Sequence, residues 1–256
     1  VTNLAVQTTS NTSVTPAALT IVATAPSGIV DGDILLACVA KNTVTAPTTV
    51  PAGWALVSAF GAYRSSFPAA FQAAGNVGTG WAGMYWKKAA SESGNYTWGS
   101  TSAIWNVQIL RISTYKGPKP GGAYVDDDIF NAAKINARAT NTISQGLMTL
   151  ADLAWEAYLM VHQFVQTVAT TAPVFSALSA SMTPVANVSQ SAAAALTQEV
   201  AWEYIDRTAN PNFGSRQVTT DTASGSTGGY CVLLSDPAAI TGIAIDKRND
   251  LRPASQ

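Results

Sequence analysis

The apolar positions of this chain fall in short runs. The most continuous is Ile34 to Ala40, ILLACVA, which follows the turn residues Asp31-Gly32-Asp33. Alternate residues of a strand face opposite ways, so Ile34, Leu36, Cys38 and Ala40 line one face and Leu35, Ala37 and Val39 the other. Neither face suits water. The run is therefore expected to be a buried strand covered on both sides, either in the middle of a packed sheet or beside a neighbouring subunit, with the rest of the chain organised around it.

Upstream, β-branched residues and Thr recur from Leu4 to Ser10 and from Ala17 to Ala25, with Pro16 and Pro26 as breaks. This predicts two strands, the first at an edge or in an arm. After Pro51-Ala52-Gly53, Trp54 to Phe60 predicts another strand, and Arg64 to Thr79 reads as a Gly/Ala/Ser-rich loop. Trp81 to Ala89 and Asn95 to Ser100 flank Ser91-Glu92-Ser93-Gly94, the spacing of a hairpin. Ala103 to Tyr115 is the longest strand candidate and runs into the Pro/Gly segment GPKPGG.

The second half is read the same way. Residues 123 to 146 are polar and are expected to cross over, with one short strand near Thr140 to Ser144. Helix competes only at Ala151 to Val165, where Leu153, Trp155, Tyr158 and Val161 fit helical spacing loosely; the continuous run Tyr158 to Val161 favours strand. A short helical turn is expected at Ala192 to Leu196. Glu199 to Arg207 alternates as a strand, Gln217 to Thr222 is β-like, Ser224 to Gly229 reads as a connector, and Tyr230 to Leu234 as a last buried strand. About ten or more short strands with little helix predict an all-β fold, a jelly-roll-like antiparallel β-sandwich with extended N- and C-terminal arms. The expected limits are an arm or edge strand over 1–16, a sandwich over 17–236 and a tail over 237–256. The sandwich divides into halves 17–117 and 140–236, joined by the crossover 118–139.

Composition changes this picture mainly through charge. Charged residues are only 11% of the chain, against about 25% in ordinary soluble domains. The first charge is Asp31, and none occurs between Glu156 and Glu199. Two readings follow: a surface covered by sister copies or a partner, or a Thr/Ser-rich surface that stays open. A net charge of −1 without a basic stripe argues against nucleic-acid binding. No window is long and apolar enough for a helical membrane span, and VTNLAVQTTS lacks the basic flank and apolar core of a signal peptide. Cys38 and Cys231 both sit in apolar runs and are expected to be buried free thiols rather than a disulfide.

Candidate chemistry is sparse. His162, the single histidine, lies in an apolar run with no nucleophile motif nearby and is expected to be a satisfied buried or interface residue. One His with two distant Cys does not make a zinc site of the usual spacing. Asp126-Asp127-Asp128 could offer oxygens to Ca²⁺ but lacks the spacing of a calcium loop, so a solvated acidic turn is expected. Glu92, Glu156, Glu199, Glu203 and Asp206 could supply a glycosidase pair if they converged in space. Trp81, Tyr85, Trp86, Tyr96, Trp98 and Trp105 could form a sugar-stacking platform, with core packing as the default. The charges Asp246, Lys247, Arg248, Asp250 and Arg252 concentrate in the tail, where they could reach a neighbouring molecule.

Four stretches then form a pattern: VDGDILLACVA, TVPAGWALV, MYWKKAASESGNYTWGS and ILRISTYKG. Their order resembles that of bacteriophage virion proteins and related prophage sequences, with a "GD" strand, a "PPAGW" turn, a tyrosine-bearing hairpin ending in "YTW", and a strand ending in "Y.G". The matching residues are Asp31-Gly32-Asp33, Pro51-Ala52-Gly53-Trp54, Tyr85 to Ala89, Tyr96-Thr97-Trp98 and Tyr115-Lys116-Gly117, over residues 27–117. The family's Glu-Pro in the hairpin is replaced here by Ser-Glu-Ser-Gly. The resemblance implies a β-sandwich on the exterior of a phage particle, made in the host cytoplasm, and carries no active-site residues. The expected function is non-enzymatic: a capsid decoration or cement protein, trimeric, contacting the major capsid protein and sister copies, without a cofactor. The alternative is a tail or fibre component that binds host glycans.

Overall fold

The computed structural model describes residues 5–56, 70–75, 78–113, 129–131, 142–145, 148–149, 157–168, 173–176, 178–190, 195–206, 212–213, 216–221 and 226–235. In chain order the strands are β1 (Ala5–Ala23), β2 (Ile34–Lys41), β3 (Ala55–Leu56), β4 (Ala70–Gly75), β5 (Gly78–Lys88) and β6 (Tyr96–Ser113). There follow β7 (Ile129–Asn131), β8 (Thr142–Gln145), β9 (Met148–Thr149), β10 (Ala157–Val168) and β11 (Phe175–Ser176). The last are β12 (Thr183–Gln190), β13 (Ala195–Asp206), β14 (Asn212–Phe213), β15 (Arg216–Thr220) and β16 (Ser226–Ser235). No helix occurs among the described residues. The fold is an all-β antiparallel sandwich.

The first sheet has the order β1-β6-β2-β5-β3, with β4 also on β5, and the second β12-β13-β10-β16-β7. Smaller groupings are β11-β15-β8 and β14-β9. Ile34, Leu36, Cys38, Met84, Leu110 and Ile112 of the first sheet meet Leu159, Val161 and Val200 of the second in a shared core. Glutamines stitch the layers together: Gln163 Nε2 donates to Val39 O at 3.1 Å and Gln198 Nε2 to Cys38 O at 3.0 Å. Gly80 marks a close approach, because a Cβ there would meet Thr167 Cγ2 at 2.7 Å.

The central strand is where its sequence puts it. Ile34 to Lys41 pairs with Lys88 to Trp81 of β5 on one edge and with Ile112 to Trp105 of β6 on the other, and all eight residues are buried. Both faces are covered within one chain. This arrangement overturns the expected hairpin, since β5 and β6 flank β2 and do not pair with each other. A strand with two apolar faces gains most from a full ladder on each edge, and residues 89–95 need only bridge two strand spacings, about 10 Å.

Other boundaries shift for local reasons. The two strands expected before residue 26 are one, β1, paired along β6. Pro16, which has no N–H to donate, falls in the register shift between Val14 and Ala18, and an edge strand tolerates it there. Part of the expected loop Arg64 to Thr79 is strand β4, paired antiparallel to β5. Likewise Ala195 and Leu196 begin β13 instead of ending a helical turn, and β16 starts at Ser226, within the expected connector. The region where helix competed is strand β10 over its described part. The acidic triplet Asp126-Asp127-Asp128, Glu156, and the tail charges Asp246, Lys247, Arg248, Asp250 and Arg252 lie outside the described residues.

Candidate functional site

The aromatic candidates close the outer face of the first sheet. Trp54, Trp81, Tyr85, Tyr96, Trp98 and Trp105 share a buried cluster with Leu35, Ala37 and Val39. Trp54 meets Tyr96 edge-on at 5.0 Å and Trp98 at 5.4 Å between ring centroids. Tyr85 lies 6.3 Å from Trp98 and 6.1 Å from Trp81. Trp98 is fully buried and Trp81, Tyr85 and Tyr96 are at most 6% exposed, while Trp86 is half-buried against the core between the sheets. A sugar needs an open ring face, and within this chain the buried rings of Trp81, Tyr85, Tyr96, Trp98 and Trp105 offer none. The stacking platform is corrected to core packing: β5 and β6 present these rings on the side that the 42–56 connection folds back to cover.

Polar residues around this cover pin loops to strands. Asp33 accepts from Arg111 Nε at 2.5 Å and from Val30 N at 3.0 Å, and Asp31 accepts from Ser91 N at 2.6 Å. Glu92 pairs with Lys87 at 2.7 Å and accepts from the Tyr96 hydroxyl at 2.8 Å. Burial alone would raise the Glu92 carboxyl, but the bonds from Lys87 and Tyr96 outweigh it and hold the group below its usual range. Sequence motifs far apart in the chain thus meet: the "GD" turn with Arg111, and Trp54 of "PAGW" with Tyr96 and Trp98 of "YTW".

Lys41, at the end of β2, is a buried cation that sequence reasoning missed. Its Nζ donates to Ser100 Oγ at 2.6 Å and Thr45 Oγ1 at 3.2 Å, and lies 5.0 Å from the Trp105 ring centroid. Burial pulls its pKa down to about 8. The only signal was a lysine directly after seven apolar residues, where the strand carries it inside before the turn.

On the outer face of the second sheet, β10 and β13 place His162 and Glu203 diagonally across neighbouring strands. His162 Nε2 lies 2.8 Å from Glu203 Oε1. From β15, Arg216 Nε reaches Glu203 Oε1 at 2.7 Å and Oε2 at 2.9 Å. Burial would raise Glu203, but the bonds from His162, Arg216 and Ser181 hold it down at about 2. Glu203 is therefore ionised, and the short contact places a proton on His162 Nε2. Burial, helped by the Arg216 charge, pushes the His162 pKa down against the opposing pull of Glu203, so the imidazole is neutral near pH 7. Glu199, buried on the same face of β13, is pushed up to about 7 by desolvation.

His162 is the satisfied buried histidine that the sequence suggested; Arg216 gave no signal, because its partner comes from another layer. The carboxylates weighed as a glycosidase pair do not come together among the described side chains. Glu92 belongs to the Lys87–Tyr96 network of the first sheet, Glu203 to the His162–Arg216 network of the second. Cys38 is a free, buried thiol whose pKa is raised by burial.

What remains open is an edge. β1 ends the first sheet with β6 on one side, and Gln7, Thr9, Asn11, Ser13 and Thr15 form an exposed, uncharged row. The hydroxyls between them are engaged: Thr8 Oγ1 donates to Ser27 O at 2.8 Å, Ser10 Oγ to Thr24 O at 2.5 Å, and Thr24 N donates to Thr12 Oγ1 at 3.0 Å. Compared with known protein families, curated proteins and solved structures, the chain matches none.

Proposed function

We propose that this chain is a non-enzymatic structural protein of a tailed-phage virion, on the outside of the particle. It decorates the capsid as a homo-oligomer, proposed as a trimer, that contacts the major capsid protein and sister copies. The observation that carries the reading is the long uncharged edge strand β1, available for assembly while both faces of β2 are closed within one chain. Edges of freely diffusing proteins are usually blunted by charge, Pro or a bulge; residues 1–30 contain no charged side chain, and from Thr8 to Val14 β1 has neither Pro nor a register shift. The pattern "GD", "PAGW", "YTW", "Y.G" supplies the virion context. The glycan-binding alternative loses its main support, since all of its rings but the half-buried Trp86 are packed inside.

Counting copies per purified particle by quantitative mass spectrometry tests the proposal. Hundreds of copies are expected, with heat or osmotic stability lost when the protein is stripped. A few dozen or fewer would place it in the tail, and absence from particles would end the virion reading.

A further inference from the structure

β1 has a regular central stretch. From Thr8 to Val14 its register on Arg111 to Trp105 of β6 is unbroken, with register shifts at Val6/Thr8 and Val14/Ala18 on either side. Along this stretch alternate residues turn their N–H and C=O away from β6. Among the described residues no other strand pairs that side. The stretch is centred on Asn11.

We infer that two copies of this chain pair β1 against β1, antiparallel, about a two-fold axis at Asn11, so that the first sheet continues from one copy into the next. The inference rests on the assembly reading above and names the surface that it uses. It is a pairwise contact, separate from the three-fold contact of the proposed trimer.

The chemistry of the row fits a copy of itself. In this register Thr9 stands opposite Ser13, Ser10 opposite Thr12, Thr8 opposite Val14, and Asn11 opposite the partner's Asn11. Hydroxyl and carboxamide groups both donate and accept, so each exposed pair, Thr9 with Ser13 and Asn11 with its twin, can satisfy itself. A charge at a two-fold position would face its own sign, and this strand carries none. A strand pairing this short buries less than the roughly 800 Å² per partner of standard interfaces. It forms where copies are concentrated, whether in concentrated solution or on a shared particle surface.

Cysteine trapping reads the register directly. Residues opposite each other across an antiparallel pair have Cα atoms about 4.5–5.5 Å apart, within reach of a disulfide. Concentrated Asn11→Cys protein, oxidised with glutathione disulfide, is expected to give a covalent dimer. Thr9→Cys and Ser13→Cys are each expected to stay uncross-linked alone and to cross-link when mixed. Asn11→Lys, at an exposed position, should keep the parent's denaturation midpoint and lower self-association in sedimentation at least tenfold. If Asn11→Cys gives no dimer while the parent sediments as an oligomer, the β1 pairing is wrong and the assembly reading survives. Dimers from Thr9→Cys alone would also overturn the register. A parent chain that stays monomeric at every concentration and is missing from particles removes the assembly reading and the pairing with it.

Discussion

The two sheets close their outer faces by different means. Over the first lies an aromatic cover, Trp54 and Tyr96 packed on Trp98 and Tyr85. Over the second, Phe175, Met182 and Val218 pack on Phe164 and Ala201, but beside them Glu203 is clamped between His162 and Arg216. Aromatic burial holds at any pH. A buried ion network depends on every partner keeping its charge state, because its desolvation cost is repaid only while the geometry is complete. Between pH 5 and 8 the first sheet should therefore be the pH-insensitive part of the molecule and the second the titrating part.

The largest effect is expected from Trp98→Ala, which empties the centre of the aromatic cover and should cost about 3–5 kcal/mol. Denaturant titrations at pH 5 and pH 8 should show the same loss at both. A pH-dependent loss would break the contrast. Next, Glu203→Ala leaves the buried, neutral His162 N–H and the part-buried Arg216 guanidinium without their acceptor and should cost about 3 kcal/mol at pH 7. Here the cost should shrink toward pH 2, where the parent's Glu203 itself takes up a proton.

Two single variants sharpen the titrating side, with effects of order 1–3 kcal/mol. His162 has a folded pKa below its ordinary 6.5, so the unfolded chain binds the extra proton and stability falls as pH drops below 6.5. Glu199 rises from 4.5 to about 7, so the folded chain holds the extra proton and stability falls as pH rises from 4.5 through 7. The two slopes oppose each other between pH 5 and 6.5. Glu199→Gln should leave a rising slope there and His162→Gln a falling one, measured by urea midpoints.

The smallest effect tests Lys41, a buried cation of the first sheet. Lys41 has a folded pKa near 8, below its ordinary 10.5, so folding should strengthen as pH climbs from 8 to 10.5. Lys41→Met keeps the volume, should cost under about 1.5 kcal/mol, and should abolish that rise.

Much of the fold was legible because it followed from local pattern. ILLACVA announced a strand that needs cover on both faces, and the alternation after Glu199 announced β13. The hairpin misled because turn spacing reports only that the chain reverses, not whether another strand slips between the two arms. The candidate site was less legible. His162 could be read as buried from its apolar neighbours, but Glu203 looked like one carboxylate among several, and Arg216 and Lys41 had no motif.

By itself, the sequence determined the all-β class, the central strand and the absence of charge from the first thirty residues. All three are properties of single segments, set by side-chain period and composition. Only the tertiary structure decided which strands neighbour β2, that the tryptophans face inward, and that Glu203 meets a histidine 41 positions away. Those depend on pairing between distant segments, where burial of whole sheet faces outweighs any local preference.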